Sequence, residues 1–403
     1  MDMLADSAAI ADSAPVATRS EPAIAARARR LPAIDRLRGL VIVLMALDHV
    51  RDYFTNAHFA PTDLSQTTPA LFFTRWVTHY CAPIFIFLAG TSARLMSQRT
   101  TPAALRRFLV TRGLWLVLLE FTLVNFVWTF NFRYQLGLIL QVIWATGASM
   151  VALAALSALP LRALAAVSLI MIAGHNLLDG IRPEAFGSAA PLWNILHVHG
   201  EIAVGDVLYP LIPWIGVMSA GYVFGGVYQL DAARRRRVTI QLGLALSLAF
   251  VLIRWLNGYG DPAAWSLQPR AGFSVLSFLN VSKYPPSLLY LLMTLGPGLL
   301  LLAALDHGEN AAMSALETFG RVPLFAYVMH LAIAHTLAGV VALALGFGTG
   351  VLTDIFVFFP KNWGFGLAGV YCAWLAVIVL LYPLCQRFAA FKRSRSDWWV
   401  SYL

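Results

Sequence analysis

Apolar runs close to twenty residues long recur along the 403-residue chain, separated by short polar or charged segments. A helix that crosses a bilayer core needs about 20 such residues. The pattern therefore predicts an all-α fold, a polytopic membrane helix bundle. Ten spans can be placed, at 37–55, 71–93, 108–129, 135–158, 162–178, 207–229, 238–256, 285–305, 322–346 and 364–387. Charged segments at 99–107, 231–237 and 306–321 follow the second, sixth and eighth spans. Three connections on the opposite side are long, at 56–70, 179–206 and 257–284.

Composition agrees. With 59% hydrophobic residues, 12% charged residues and a mean hydropathy of +0.70, the chain is not a soluble globular protein. Its net charge of +9 does not point to nucleic acid, because the cations sit in short loops between the spans, as orientation signals do. With the N-terminus inside, 21 of the 29 Lys and Arg fall on the cytoplasmic side; the other eight are Arg51, Arg75, Arg133, Arg182, Arg254, Arg270, Lys283 and Lys361. That asymmetry predicts both termini in the cytoplasm.

Residues 1–30 are Ala-rich and lack a continuous apolar core before Arg27, Arg29 and Arg30, which predicts a disordered cytoplasmic tail rather than a signal peptide. A transmembrane domain over 31–390 and a cytoplasmic tail over 391–403 complete the division. Cys81, Cys372 and Cys385 give neither a disulfide framework nor a zinc spacing and read as packing residues, so no metal is expected. There is no internal repeat of the kind that builds inverted-repeat transporters.

The stretch 35–52, DRLRGLVIVLMALDHVRD, carries the densest chemistry. At about 100° per residue, Arg38, Ile42, Met45, His49 and Asp52 share one helix face, and His49 lies roughly 16 Å along the axis from Arg38. Ionisable residues at such a depth need partners or water and mark functional sites. In the second span, Arg75 and His79 are four apart and so neighbours on a helix, and Pro83 predicts a kink one turn later with freed carbonyls. Together with Asp48, His49, Arg51 and Asp52 they predict a polar cavity open to the outer half of the membrane. The simpler readings are an Arg75 that snorkels and a His79 bonded within the bundle.

Other candidates are more isolated. His58 precedes Asp63 by five positions in HFAPTD, a His-x4-Asp spacing resembling the base and orienting acid of soluble glycerolipid acyltransferases, though a loop histidine is more often simply solvated. Lys283 and Tyr284, before Pro285 and Pro286, read as an interfacial anchor or as groups held at the outer mouth of the bundle. His330 and His335 are five apart, hence on different faces and a poor metal pair. The position of His330 near Pro323 predicts a cytoplasm-proximal depth, and one of the two histidines reads as a satisfied core residue. The GFGLAG segment at 364–369 follows no strand and is not a dinucleotide site. Arg234, Arg235, Arg236 and Arg237 form an inside-positive stop signal that can also attract anionic lipid.

Five ordered motifs carry a family resemblance: IDRLRGLVIVLMALDHVRD, LFFTRWVTHYCAPIFIFLAGTSA, SKYPPSLLYLLMTLGP, GRVPLFAYVMHLAIAH and the closing WWVSYL. From Leu31 onward the chain resembles the bacterial relatives of heparan-α-glucosaminide N-acetyltransferase. Its Arg38-x10-His49 spacing also looks like that of the acyltransferase-3 group of envelope O-acyltransferases. The resemblance implies a multi-pass protein of the bacterial inner membrane that moves an acyl group, usually acetyl, from cytosolic acyl-CoA to a carbohydrate-type or lipid-linked sugar acceptor. The lysosomal enzyme carries asparagine where this chain has His49, and its catalytic histidine falls about eleven residues further on, nearest to His58 here. His49 matches the acyltransferase-3 histidine directly and is the favoured base.

Acyl transfer needs a base for the acceptor and a donor for the developing oxyanion. His49 is the expected base, oriented by Asp52 or Asp48, with His79 or Arg75 as the oxyanion donor. Arg38, with Asp35 beside it, is expected to hold the phosphates of acetyl-CoA at the cytoplasmic end, and His330, Lys283 and Tyr284 are further donor-binding candidates. Membrane lipids are the remaining expected partners, and a homodimer is compatible with the sequence. A ping-pong and a ternary-complex route both remain open. The competing class is a proton-coupled transporter or flippase, for which buried His and Asp are equally suited.

Overall fold

The ten predicted stretches are helical in the computed structural model, which describes residues 31–132, 138–353, 362–395 and 397. The expected N-terminal tail, Arg133, Lys361 and the WWVSYL motif lie outside the described residues. The first stretch is α1 (Pro32–Phe54); the second is split into α2 (Pro69–Thr78) and α3 (Cys81–Ser97); the third is α4 (Pro102–Leu119), which runs through a π-helical turn at Glu120–Val124 into α5 (Asn125–Thr129). Then come α6 (Val142–Leu156), α7 (Leu161–Ala173), the short α8 (Ala190–Leu196), α9 (Leu211–Phe224), α10 (Ala232–Leu256), the short α11 (Phe273–Leu279), α12 (Leu288–Ala304), α13 (Ala311–Arg321), α14 (Pro323–Ala344) and α15 (Leu367–Ser394).

Among the described residues, six helical stretches are long and apolar enough to cross a membrane: Pro69–Ser97, Pro102–Thr129, Leu211–Gln229, Ala232–Leu256, Pro323–Ala344 and Leu367–Ser394. The helices α6, α7 and α12 are apolar but shorter. The outward faces are lipid-like. On α10, Leu244, Leu248, Leu252 and Leu256 are all exposed at four-residue steps, an apolar stripe turned away from the protein, as hydrocarbon requires. The protein is integral to a membrane.

Helix α1 is the opposite case: it holds six charged residues between Asp35 and Asp52, and α3, α13, α14 and α15 pack around it. Its contact with α13 is backbone on backbone. A Cβ on Gly39 would sit 1.9 Å from the Leu316 carbonyl oxygen, and one on Gly320 would sit 1.8 Å from that of Asp35. Two glycines thus set the distance between these helices, as small residues do at membrane helix contacts. Beside it, Ile42, Phe319, Val322, Ala326, Leu381 and Cys385 form a buried cluster. Cys81 and Cys385 are buried, as packing residues should be, whereas Cys372 is exposed on α15; all three are free thiols.

Several boundaries depart from expectation. Helix α6 starts at Val142 instead of 135, because Leu138–Leu140 is a strand, β1. It pairs in parallel with β3 (Gly205–Val207), which pairs antiparallel with β2 (Gly200–Ile202), giving the order β1-β3-β2. A stretch as apolar as LIL cannot reveal by periodicity that its partner lies more than sixty residues away. Helix α7 ends at Ala173, and His175–Leu178 is a 3₁₀ turn instead of the last turn of the fifth span. Helix α15 continues to Ser394, beyond the expected end of the tenth span at 387.

The second span breaks as its proline predicts, though at His79 and Tyr80. Pro83 has no N–H to give the carbonyl four residues back. That carbonyl, on His79, instead accepts the Tyr290 hydroxyl of α12 at 2.7 Å.

Candidate active site

The last two turns of α1 deliver Asp48, His49, Arg51 and Asp52 to a cavity of about 230 Å³ that is also lined by Arg75, Lys283 and Tyr284. Asp48 is the hub of its charges. Its carboxylate accepts Arg75 at 2.5 and 2.6 Å, lies 3.0 Å from Arg51 Nη1 and 3.8 Å from Lys283 Nζ. Arg51 Nη1 makes no hydrogen bond despite that proximity, so its contact with Asp48 is an ion pair out of line. Its other terminal nitrogen, Nη2, is bonded to Asp52. Three cations against two carboxylates leave the cluster one positive charge in excess, in a setting where charge is weakly screened.

His49 stands apart from these ion pairs. Its Nδ1 lies 2.7 Å from Nε2 of His330 on α14. The ring planes differ by only 10°, so with nitrogens in direct contact the two imidazoles lie edge to edge in one plane. The Nδ1 of His330 lies 2.9 Å from the Ala326 carbonyl. A carbonyl only accepts, so His330 Nδ1 carries the proton and its Nε2 carries the lone pair. His49 must then donate from Nδ1, which leaves Nε2 as the ring nitrogen that can carry a lone pair. Trp128 packs an edge against the His49 ring at 4.9 Å and also lines the cavity.

The hydrogen-bond partner of His49 is His330, where Asp52 or Asp48 is the expected neighbour. Adjacent positions on a helix point about 100° apart, and the two acids are taken by Arg51 and Arg75. His330 sits level with His49, and both its ring nitrogens are engaged, one by His49 and the other by the Ala326 carbonyl. His335 is a core histidine satisfied on one side only: its Nδ1 donates to the Val127 carbonyl at 3.1 Å, Phe130 stacks on it at 3.9 Å, and its buried Nε2 has no hydrogen-bond partner.

The other candidates divide. Arg75, Lys283 and Tyr284 reach the cavity, Lys283 with its Nζ 5.2 Å over the Tyr284 ring. His79 is buried, its Nδ1 has no partner, and it is not among the cavity's lining residues. Its ring meets that of Tyr290, 5.5 Å away centre to centre. His58 is exposed and does not pair with Asp63. That carboxylate accepts Ser65 and Gln66 instead, which hold it below the usual carboxylate range. Arg38 lies outside the cavity, bonded to Ser92 and, at 3.2 Å, to the Leu88 carbonyl, with Asp35 3.6 Å away.

Sequence reasoning missed Trp128, Gln141 and Tyr209, which line the cavity, and Glu120. The last is 2% exposed, and its carboxylate accepts the Trp144 amide at 2.7 Å, satisfying a donor that the start of α6 leaves unpaired. An acid inside an apolar span was the available signal. The lining residues of the cavity form no metal-ligand set. Among the described residues one such group exists elsewhere, made by His175, Asp179 and His197.

A bundle of membrane helices thus encloses a charged cavity lined by a histidine whose Nδ1 is engaged by a second histidine. The family model for the catalytic region of heparan-alpha-glucosaminide N-acetyltransferase matches residues 30–255, more than half of the chain, and the chain belongs to this family. The matched region contains α1 to α9 and nearly all of α10, hence the first two of the five motifs. No curated protein matches the chain.

Proposed function

We propose that this protein transfers an acetyl group from acetyl-CoA to an amino or hydroxyl group of a carbohydrate-type acceptor, free or lipid-linked, with His49 as general base. The observation that carries the proposal is the hydrogen-bond chain from His49 Nδ1 through His330 to the Ala326 carbonyl, which leaves His49 Nε2 as the free lone pair in a cavity-lining residue. As the acceptor attacks the thioester carbonyl, Nε2 takes its proton. The oxyanion that forms is met by the excess positive charge of Arg75, Arg51 and Lys283. Its collapse breaks the carbon–sulfur bond, and the proton on Nε2 passes to the departing thiolate.

A cavity of about 230 Å³ fits the reacting ends of two substrates, not a whole coenzyme A. The donor's nucleotide therefore lies outside it, toward Arg38 and Asp35 on the proposed cytoplasmic side, with the pantetheine arm passing between helices. The ten helical stretches, all taken as crossing a bacterial inner membrane, return the C-terminus to the side of the N-terminus. The acceptor then enters from the opposite face, where Lys283 and Tyr284 stand. The test supplies purified protein in nanodiscs with radiolabelled acetyl-CoA and a panel of amino sugars and lipid-linked sugars. Label appearing in an acceptor supports the reading. Failure of acetyl-CoA and longer acyl-CoAs to bind at all contradicts it.

A further inference from the structure

Between α7 and α9 lies a side-chain cluster that the cavity does not use. His175 opens the 3₁₀ turn after α7, Asp179 follows that turn, and His197 ends α8. The two histidines are 2% and 0% exposed. Both ring nitrogens of His175 and Nδ1 of His197 lack a hydrogen-bond partner. Only His197 Nε2 has one, Asp179 Oδ1 at 3.2 Å. Buried polar atoms are normally paired, because dry and unpaired they forfeit their hydration. Three bare imidazole nitrogens in one place are an exception, and an ion bound here would engage one of the two on His175. One ligand atom from each of the three residues lies within 4.8 Å of the others.

We propose that His175, Asp179 and His197 bind one divalent transition-metal ion of the zinc kind, and that this ion fastens the 175–197 segment. Two imidazoles and a carboxylate are a donor set of that class, unlike the all-oxygen sets of calcium and magnesium. Bonds of about 2.1 Å in a tetrahedron put ligand atoms about 3.4 Å apart, so from separations of up to 4.8 Å the side chains draw together by about 1.4 Å at most on binding. His197 Nε2 takes the ion once its proton has moved to Nδ1. The fourth position holds water on the side of Asp179, whose side chain is 25% exposed.

The surroundings favour a structural ion. Asn176 donates to Asp179 Oδ2 at 2.8 Å, which orients the carboxylate as outer-shell groups do. Its own carbonyl accepts the Leu288 amide at 2.9 Å, tying the site to the start of α12. His197 leads directly into β2 and then β3, which pairs with β1, and Ile139 of β1 and Tyr209 beyond β3 line the cavity. An ion at His197 thus steadies one wall of the cavity without touching its chemistry. The site does not depend on the proposed reaction.

The test uses full-length protein without a histidine tag, stripped with EDTA, given zinc chloride alone, and followed by metal analysis and thermal unfolding. One zinc per chain and a rise of several degrees in Tm, reversed by EDTA, are expected. Asp179→Ala weakens zinc binding by more than about 100-fold, and His197→Gln does the same. His199→Ala, which removes an exposed pair with Asp206 at 2.9 Å, leaves it unchanged. Asp179→Ala carries the test alone if His197→Gln does not fold. Folded wild type that takes up no zinc overturns the proposal. So does binding that survives Asp179→Ala, or that is lost in His199→Ala.

Discussion

His49 Nδ1 and His330 Nε2 face each other at 2.7 Å across 281 positions of sequence, and the Ala326 carbonyl behind His330 decides which of them donates. A carbonyl here does what a carboxylate does in a catalytic triad: it fixes the tautomer, though without a compensating negative charge. Replacing His330 by Phe keeps the bulk and removes the acceptor. The expected result is a kcat lower by about 10²–10⁴-fold with KM little changed. His330→Gln, whose amide oxygen can accept the same proton, is expected to recover part of that loss. Steady-state kinetics on both variants checks this; equal kcat in wild type and His330→Phe would remove the orienting role.

Asp48 joins α1 to α2 and to the segment before α12 through Arg75 and Lys283. Asp48→Asn leaves three cations facing one carboxylate in a site that is mostly buried. Breaking a buried pair from one side costs about 3–5 kcal/mol, so a markedly lower Tm is expected. Asp48→Asn combined with Arg75→Gln should lose less than the two single variants together. Thermal unfolding of the four proteins measures that coupling.

The hydroxyl of Tyr290 serves the carbonyl that Pro83 leaves free. Tyr290→Phe strands that carbonyl in the bundle, at a cost of about 1–3 kcal/mol. Because the bond lies outside the cavity, the variant is expected to lose stability while keeping its KM for the acyl donor. Parallel unfolding and kinetic measurements separate the two effects.

Gly39→Ala pushes a methyl into the Leu316 carbonyl, 1.9 Å from the new Cβ. Both partners are backbone, so α1 and α13 must separate. Overpacking of this kind costs about 1–3 kcal/mol, and a lower Tm with poor yield is expected. Ala at Gly366, where a Cβ meets nothing within 4 Å, is the matched control.

These relationships divide by how far apart their partners lie in the chain. The helices were legible because length and apolarity are local properties, and the break near His79 was legible because Pro83 removes a local hydrogen bond. The cluster of Asp48, Arg51, Asp52 and Arg75 was legible as a group, since consecutive helices place it at one depth. The hydrogen-bond partner of His49 was not: no spacing on α1 can show that α14 supplies it. The strand Leu138–Leu140 was hidden for the same reason, because its pairing with Gly205–Val207 is made across the fold. His175, Asp179 and His197 left a trace, two histidines and an acid flanking one long loop, that only their convergence makes meaningful.

The central claim is that His49 performs the chemistry and does not hold the donor. Wild type and His49→Ala are compared in nanodiscs with acetyl-CoA, recording thermal stabilisation and release of free thiol. The account predicts that acetyl-CoA stabilises both proteins, and that only wild type releases coenzyme A, faster with an amino sugar present. Release from His49→Ala at the wild-type rate would contradict it.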